Sequence, residues 1–475
     1  MREPLRSSCA LTLREVAEAT RSELPPSLNA LVIGGVATDT RDLVPGDLFV
    51  ARKGVAQDGH RFISAAVSAG AVAILMEDAH EGSPAVPALR VPDTTRALGQ
   101  LARHWRRRLG IKLVAVTGSN GKTTTKEMIA AILASHTGSR ESVLVTPGNF
   151  NNHVGLPLTL LKGTVAQRLG VVELGMNAPG EIAALTAIAE PQVGLVTNAA
   201  EAHLERFGGD VGEVALAKAE LWESMGEDAV AVVNLDDPRL PGLASRRRGP
   251  RLTFGRAEGA DVRVLSADPA GDEALAVRLM HFGSPLELQI PLLGRHQAFN
   301  AAAAAAAAHA LGVAPEKIRE GLLEVRLPEH RAVVTAVGQI VVLDDCYNAN
   351  PASVRAAASA LKDLEGSGRL GALLGELREL GPGSAPLHRE LGRHLGHEGF
   401  GVVIGLGPLC EALCQGAVEG EVVEVVHVHT VEEAAAVANE RFSPGDRVLV
   451  KGSRAMGMEA AINAWRSLAA ERGGA

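Results

Sequence analysis

Residues 113–125, LVAVTGSNGKTTT, set an apolar run directly against a short loop that ends in Lys122 and three threonines. This order reads as a strand turning into the N-terminus of a helix, the unit from which parallel α/β sheets are built. Glycines at 118 and 121 let backbone N–H groups curl around phosphate oxygens, and the helix dipole favours the anion. Lys122 adds a point charge, and the hydroxyl of Thr123 is placed to reach Mg2+. Gly118, Ser119, Asn120, Gly121, Lys122, Thr123 and Thr124 are therefore candidate ligands of a nucleoside triphosphate. The commonest phosphate loop has four residues between its glycines, whereas Gly118 and Gly121 enclose two. A Gly-rich turn with a solvated lysine is the plain alternative.

A chain of 475 residues exceeds what one hydrophobic core serves, so two or three domains are expected. The pattern supplies three α/β units. The first, residues 1–110, alternates short strands (LNALVIGGVA, DLFVA, AVAILM, ALRV) with helical stretches at 61–69 and 94–108. The second, 111–327, runs through LVAVT, LVTPG, GVVELG, GLVTN and AVAVVN with helices between, so a parallel, doubly wound sheet of phosphate-loop type is expected. Strands within 262–291 and an alanine-rich helix at 298–311 close that unit. The third, 328–475, places QIVVLDD, GALLG, GVVIGLG and RVLVKGS between helices, a Rossmann-like alternation. The RHWRRRLG tail of the helix at 94–108 reads as a solvated helix end and linker.

With 46% hydrophobic and 21% charged residues the chain reads as globular and soluble, and its net charge of −8 without a long basic run argues against a nucleic-acid binder. The segment MREPLRSSCALTLREVAEAT lacks the apolar core and cleavage site of a secretory signal, and Ala301–Ala308 is too short to span a membrane. A cytosolic chain is expected, with Cys9, Cys346, Cys410 and Cys414 reduced. Cys410 and Cys414 stand one helical turn apart and read as core residues.

Glu173 ends the strand LGVVEL, His203 follows GLVTN, and Lys218 lies on the next helix in VALAKAELWESM. Carboxyl ends of parallel strands gather on one edge, so these three are expected to meet the phosphate loop. A carboxylate and an imidazole can ligate Mg2+, although histidine is an unusual partner for so hard an ion. Taken singly, Glu173 also fits a helix-capping acid, His203 a loop histidine and Lys218 a surface partner of Glu213 or Glu220.

TGSNGKTTT, the VELG acid, the AAEAHLERFG histidine, the AKAEL lysine and GRHQAFN together resemble the central domain of the Mur ligases. These are ATP-dependent amide-forming enzymes of peptidoglycan synthesis, and folylpolyglutamate synthetases share much of the pattern. In the family the histidine and lysine stand fifteen positions apart, as His203 and Lys218 do. The resemblance implies that Lys122 and Thr123 hold the β- and γ-phosphates of ATP, and that Thr123 and Glu173 bind a first Mg2+. It further implies that His203 helps to bind a second Mg2+ beside a carbamylated Lys218, since an ammonium there would repel the ions and a carbamate would not. His296 and Asn300 are implied to contact the nucleotide base; Gln297 stands where the family has asparagine and keeps a donor and an acceptor. Arg331, at the junction of the second and third domains, is implied to reach the γ-phosphate, with a structural salt bridge as the alternative.

VLDDCYNANPASV at 342–354, LLGELRELGPGSAPLHRELG at 373–392 and LVKGSRAMGME at 449–459 resemble the branch of the family that adds D-alanyl-D-alanine to UDP-N-acetylmuramoyl-tripeptide. Asp345 is then expected near the ribose, and Tyr347, Asn348 and Asn350 on the nucleotide and dipeptide side. Lys451, Ser453 and Arg454 are expected at a dipeptide carboxylate or the nucleotide. Arg378 replaces a methionine of that pattern. ATDTRDLVPGDLFVARKG at 37–54 with DGHRF at 58–62 resembles the segment that holds the uridine end, implying Thr40, Arg41 and Asp58. TPGNFNNHVGLPLTLL at 146–161 resembles the muramoyl-peptide loop, implying Asn149, Asn151 and Asn152. A relative that adds diaminopimelate carries D-N-P-R in its third domain; Asp236-Asp237-Pro238-Arg239 is a superficial echo in the second. The implied protein is a cytoplasmic, monomeric ligase using ATP and two Mg2+ ions, with no nucleic-acid partner and no membrane insertion. A phosphotransferase or regulatory NTPase accounts for residues 113–125 but for neither 342–354 nor the first domain, and a nonenzymatic descendant would have lost the ligands that are present.

Overall fold

A computed structural model of the protein describes residues 6–473 apart from 8, 55, 56 and 272. At its centre stands a nine-stranded sheet. Lys112–Thr117 lies inside it, paired in parallel with Leu169–Glu173 on one side and Val193–Val196 on the other. Its residues are apolar in succession because both faces are covered: Leu113 and Ala115 enter one core, Val114 and Val116 the other. From Lys112–Thr117 the chain moves out to the edge strand Val143–Val145, returns through Leu169–Glu173, then crosses to Val193–Val196. Strand order therefore reverses between Lys112–Thr117 and Val193–Val196, and a crevice opens beyond their carboxyl ends.

The sheet is parallel through Val230–Asn234, Arg251–Gly255 and Val262–Pro269. Beyond these the parallel expectation gives way to an antiparallel meander, Val262–Pro269, Leu275–His281 and Ser284–Ile290. A two-residue turn forces the last reversal: Phe282 (φ 47°) and Gly283 (φ 81°) are both left-handed, the form that suits a tight hairpin. Leu275, Val277 and Leu279 face inward, against the alanines of helix Gln297–Ala310, whose small side chains let the helix lie close to the sheet.

In the first domain, Val36–Ala37, Leu48–Val50, Ala73–Glu77 and Ala88–Val91 make a four-stranded parallel sheet. The expected single strand LNALVIGGVA is divided. Val32–Ile33 pairs with Leu11–Thr12 in a separate two-stranded sheet. The break falls at Gly34-Gly35 because a side chain on Gly35 would collide with the Ser7 carbonyl and press on Asp47.

The RHWRRRLG tail corrects the expectation of a solvated linker. It ends helix Thr94–Leu109, and Arg106 is buried, donating from Nε to the Ala189 carbonyl (2.8 Å) and from Nη2 to the Glu190 carbonyl (2.7 Å). Arg103 and Arg107 both reach the Glu190 carboxylate, at 2.6 and 2.5 Å, and Trp105 donates to the Gly163 carbonyl. The charge run clamps the first domain to the second.

The third domain is a six-stranded sheet. Val333–Val337 and Ile340–Asp344 form an antiparallel edge hairpin, and Ile340–Asp344, Arg447–Lys451, Leu370–Gly375, Phe400–Leu406 and Glu424–Val428 run parallel. His330 (φ 63°) and Ala332 (φ 52°) turn the chain into this domain. Pro351 opens helix Pro351–Lys362 under an Asn350 and Ser353 capping box. The four cysteines are buried and unpaired. Among the described residues no helix is long and apolar enough to cross a membrane.

Candidate active site

The crevice beyond Lys112–Thr117 is part of a cleft of about 1180 Å3 walled by all three domains. Its floor is the phosphate loop, opening helix Lys122–Thr137. Gly118 (φ 149°) and Gly121 (φ 79°) have no room for a side chain, which would strike Thr197 Oγ1 at the first and Asn300 Oδ1 at the second. The loop exit of Val193–Val196 braces it: Ser119 N donates to the Asn198 carbonyl (2.9 Å), Asn120 N to Asn198 Oδ1 (3.0 Å), and Thr197 Oγ1 to the Asn120 carbonyl (2.6 Å). Lys122 Nζ folds over the loop onto the Gly118 carbonyl at 2.7 Å. Desolvation pushes its pKa below the ordinary lysine value, against the opposing charge of Glu173. A preformed loop with a cation folded over it fits a triphosphate.

Thr123 Oγ1 donates to Glu173 Oε2 at 2.7 Å, and Asn151 Nδ2 donates to Glu173 Oε1 at 2.8 Å. Glu173 is buried yet lines the cleft. A hydroxyl and a carboxylate this close are hard oxygen donors of the kind Mg2+ takes. Lys218, on helix Val211–Ser224, also lines the cleft while only 2% exposed, and among the described residues it makes no hydrogen bond or ion pair. Burial first, and the charge of Lys122 second, push its pKa well below the ordinary value, which raises the share of neutral amine. A neutral amine is the form that takes up CO2. His203 (φ 59°) lies beside the phosphate loop's wall, and its Nδ1 is 2.5 Å from Oε2 of Glu379 in the third domain.

His296, Gln297 and Asn300 line the cleft with Asn234, Phe254 and Phe299, Asn300 lying against the phosphate loop at Gly121. Gln297 Oε1 accepts from Asn300 Nδ2 at 2.8 Å, so the longer amide spends its acceptor on its neighbour and supports the Asn300 side chain. Arg256 lies over the Phe299 ring, 5.3 Å from its centroid. Asp237 and Arg239, the echo of D-N-P-R, hold the Ala199 backbone beside the phosphate loop.

From the third domain, Arg331 stacks on Tyr347 at 3.9 Å with Arg454 at 5.7 Å, and among the described residues its buried Nε has no hydrogen-bond partner. Asp345 accepts from Ala332 N and pairs with Lys451 at 2.5 Å; Lys451 Nζ also donates to the Asn348 carbonyl. Lys451 thus braces the loop 345–348. Ser453 lies outside the cleft wall and accepts from Arg378 N at 2.7 Å. Asn350 Nδ2 reaches the phosphate loop at Asn120 Oδ1, 2.7 Å away.

Asn149, Asn151 and Asn152 also line the cleft, Asn152 Oδ1 accepting from Gly155 N at 2.9 Å where helix Gly155–Leu161 begins. Thr40, Arg41 and Asp58 lie outside this cleft: Arg41 pairs with its neighbour Asp39, and Asp58 accepts from His60 N and meets its ring. The first domain instead presents Arg52 and Thr95. Sequence reasoning assigned no role to these two, nor to Asn198, Phe299 or Glu379. Position just beyond a parallel strand is the available signal for Arg52 and Asn198, and the first turn of the helix after a strand for Thr95.

Phosphate loop, buried acid and buried lysine at one sheet edge, closed over by a third α/β domain, define an ATP-dependent ligase architecture, and the chain belongs to the Mur ligase family. The family's catalytic domain matches residues 32–106, its middle domain 116–308 and its glutamate ligase domain 330–454. UDP-N-acetylmuramoyl-tripeptide--D-alanyl-D-alanine ligase of Bacillus subtilis (strain 168) is 35% identical over 455 residues, covering 94% of this chain and 96% of that protein. Among solved structures, MurF from Acinetobacter baumannii superposes with a TM-score of 0.87 at 30% identity, covering 97% of this chain and 99% of that one. MurF from Thermotoga maritima in complex with ADP gives 0.81 at 30% identity over 92% and 98% of the two chains.

Proposed function

We propose that this chain is the ATP-dependent ligase that joins D-alanyl-D-alanine to UDP-N-acetylmuramoyl-tripeptide, acting as a monomer in the cytoplasm. The observation that carries the reading is the single cleft in which the phosphate loop of the second domain meets the 345–350 loop of the third through Asn120 and Asn350. Activation and acceptor sites must adjoin when one substrate is phosphorylated and then attacked. The buried, unpaired cysteines suit a reducing compartment.

The terminal carboxylate of the tripeptide attacks the γ-phosphorus and ADP departs, leaving an acyl phosphate. The amine of D-alanyl-D-alanine then attacks the acyl carbon, phosphate leaves, and the amine loses its proton. Two anions must approach in the first step, so positive charge is the principal requirement. Lys122 swings from the Gly118 carbonyl onto the phosphates, and Arg331, held flat on Tyr347, offers its guanidinium from the third domain. Asn151 and its neighbours orient the peptide next to Glu173. Docked domains exclude the water that would hydrolyse the acyl phosphate. Thr123 and Glu173 would hold one Mg2+, and His203 with Lys218 as its carbamate a second; bound Mg2+ neutralises charge on the transferring phosphate.

Phosphate release from ATP with UDP-N-acetylmuramoyl-tripeptide, with and without D-alanyl-D-alanine, tests the reading. Turnover that depends on the dipeptide is expected. Equal turnover with single D-alanine or with diaminopimelate would refute it.

A further inference from the structure

The contact between His203 and Glu379 spans 176 positions of sequence and the boundary between the second and third domains. It is the centre of a small docking surface rather than a lone ion pair. Glu205 N donates to the Glu379 carbonyl at 3.1 Å, and a side chain on Gly381 would stand 3.1 Å from Glu205 Cα. Both partners are held in left-handed backbone, His203 at φ 59° and Glu379 at φ 66°. Such conformations cost a non-glycine residue free energy and persist where surrounding contacts over-determine them. Each loop leaves the carboxyl end of a parallel strand, Val193–Val196 in one domain and Leu370–Gly375 in the other, so domain docking brings them face to face.

The chemistry of the pair is directional. An ionised carboxylate only accepts, so Nδ1 of His203 carries the hydrogen and donates it. In the neutral ring Nε2 is then the nitrogen with the free lone pair, and His203 lines the cleft. Histidines that ligate metals are held in this way by a carboxylate on the other nitrogen, which fixes both tautomer and ring orientation. Free imidazole has no such constraint.

We infer that Glu379 is a positioning residue of the third domain that fixes the His203 tautomer, so that His203 becomes competent in the cleft only when the third domain is docked. The inference rests on the ligase reading above for its functional consequence, but the tautomer itself is a property of the metal-free protein. Removal of Glu379 therefore has two separable effects, one on the ring and one on turnover.

The first experiment is nitrogen NMR of the imidazole rings in the metal-free, full-length protein, with His203→Gln to assign the resonance. Wild type is expected to show Nδ1–H for His203. Glu379→Ala is expected to shift the ring toward Nε2–H, and Glu379→Gln, whose amide oxygen still accepts, to retain Nδ1–H. An unchanged tautomer in Glu379→Ala would overturn the inference. The second is kinetic: Glu379→Ala is expected to lower kcat by about 10- to 100-fold, with Glu379→Gln restoring much of it. Unchanged kcat in Glu379→Ala would also overturn it. Gly381→Ala presses on Glu205 Cα at 3.1 Å and strains a left-handed backbone (φ 66°), so it perturbs the docked loops while leaving the carboxylate in place, and is expected to reproduce both effects; Gly383→Ala, where an added side chain meets nothing within 4 Å, is expected to produce neither. Equal behaviour of the two glycine variants would sink the docking part. Absence of dipeptide-dependent turnover in wild type, together with the expected tautomer pattern, would refute the ligase reading and leave the positioning of His203 standing.

Discussion

Asn350 of the third domain donates from Nδ2 to Oδ1 of Asn120 in the phosphate loop, 2.7 Å away, while its own Oδ1 caps helix Pro351–Lys362 through Ser353 N at 2.9 Å. One side chain thus caps a helix and ties the third domain to the phosphate loop. The two jobs use different atoms, so substitutions can separate them. Asn350→Asp keeps the cap acceptor, loses the donor and sets a carboxylate beside the phosphates. Its affinity for ATP is expected to fall about tenfold, equivalent to about 1.4 kcal/mol, with stability retained. Asn350→Ala loses the cap as well and is expected to destabilise the third domain by about 1 kcal/mol. Nucleotide titration and urea unfolding separate the outcomes; undiminished ATP affinity in both variants would show that the contact is incidental.

Lys218 is buried against the cleft with no hydrogen-bonding or charged partner among the described residues, and burial together with Lys122 raises the share of its neutral amine. Carbamylation joins that nitrogen to the carbon of CO2 and releases a proton, turning an isolated base into an anion. Intact-mass measurement under gentle conditions is expected to show one added CO2 on wild type and none on Lys218→Ala. Turnover of the variant is expected to fall by about 100-fold and to recover in part with a short carboxylic acid. Full activity in CO2-depleted buffer would count decisively against the modification.

Glu190 joins the first and second domains, and its pKa is lowered from 4.5 to about 2, chiefly by hydrogen bonding to Arg107, with Arg103 adding to the effect. A carboxyl group depressed on folding contributes stability above its unfolded value. That contribution is lost as pH falls from 4.5 toward 2. The arginines are substantially exposed, so solvent screening reduces it to about 1 kcal/mol. Hydrogen exchange in helix Thr94–Leu109 is expected to accelerate across that window in wild type and to be already faster at neutral pH in Glu190→Gln. Identical pH profiles for the two proteins would remove Glu190 from the clamp.

The elements that sequence made legible are those whose chemistry is local. Gly118 and Gly121 announce the phosphate loop because backbone geometry there excludes side chains, and Glu173, His203 and Lys218 follow from the gathering of strand ends on one edge. Contacts between distant segments left no such trace. Nothing near Glu379 indicates His203 as its partner, and a run of arginines gives no sign that Arg106 alone will bury itself on the carbonyls of Ala189 and Glu190. The antiparallel meander was hidden for another reason: alternation within 262–291 marks strands but not their direction, which Phe282-Gly283 decides. Lys451 lines the cleft as expected, but its pairing with Asp345 and with the Asn348 carbonyl was not legible in the sequence.

Arg52 follows strand Leu48–Val50 and, with Thr95, is the first domain's face on the cleft. Among the described residues its buried Nε has no hydrogen-bond partner, and desolvation alone pushes its pKa below the ordinary guanidinium value. A guanidinium N–H that gives up water without gaining a partner costs stability, so the charge is better explained by what enters the cleft. UDP-N-acetylmuramoyl-tripeptide brings a diphosphate and carboxylates, each suited to a planar guanidinium. Arg52→Ala is expected to raise KM for this substrate about tenfold, leave KM for ATP unchanged and keep or slightly increase stability. Arg52→Lys is expected to recover little, because a point charge does not reproduce the two-pronged donor geometry. Steady-state kinetics with each substrate varied in turn, alongside urea unfolding, decides the matter: a loss of stability with unchanged KM values would make Arg52 a structural residue whose partner lies elsewhere.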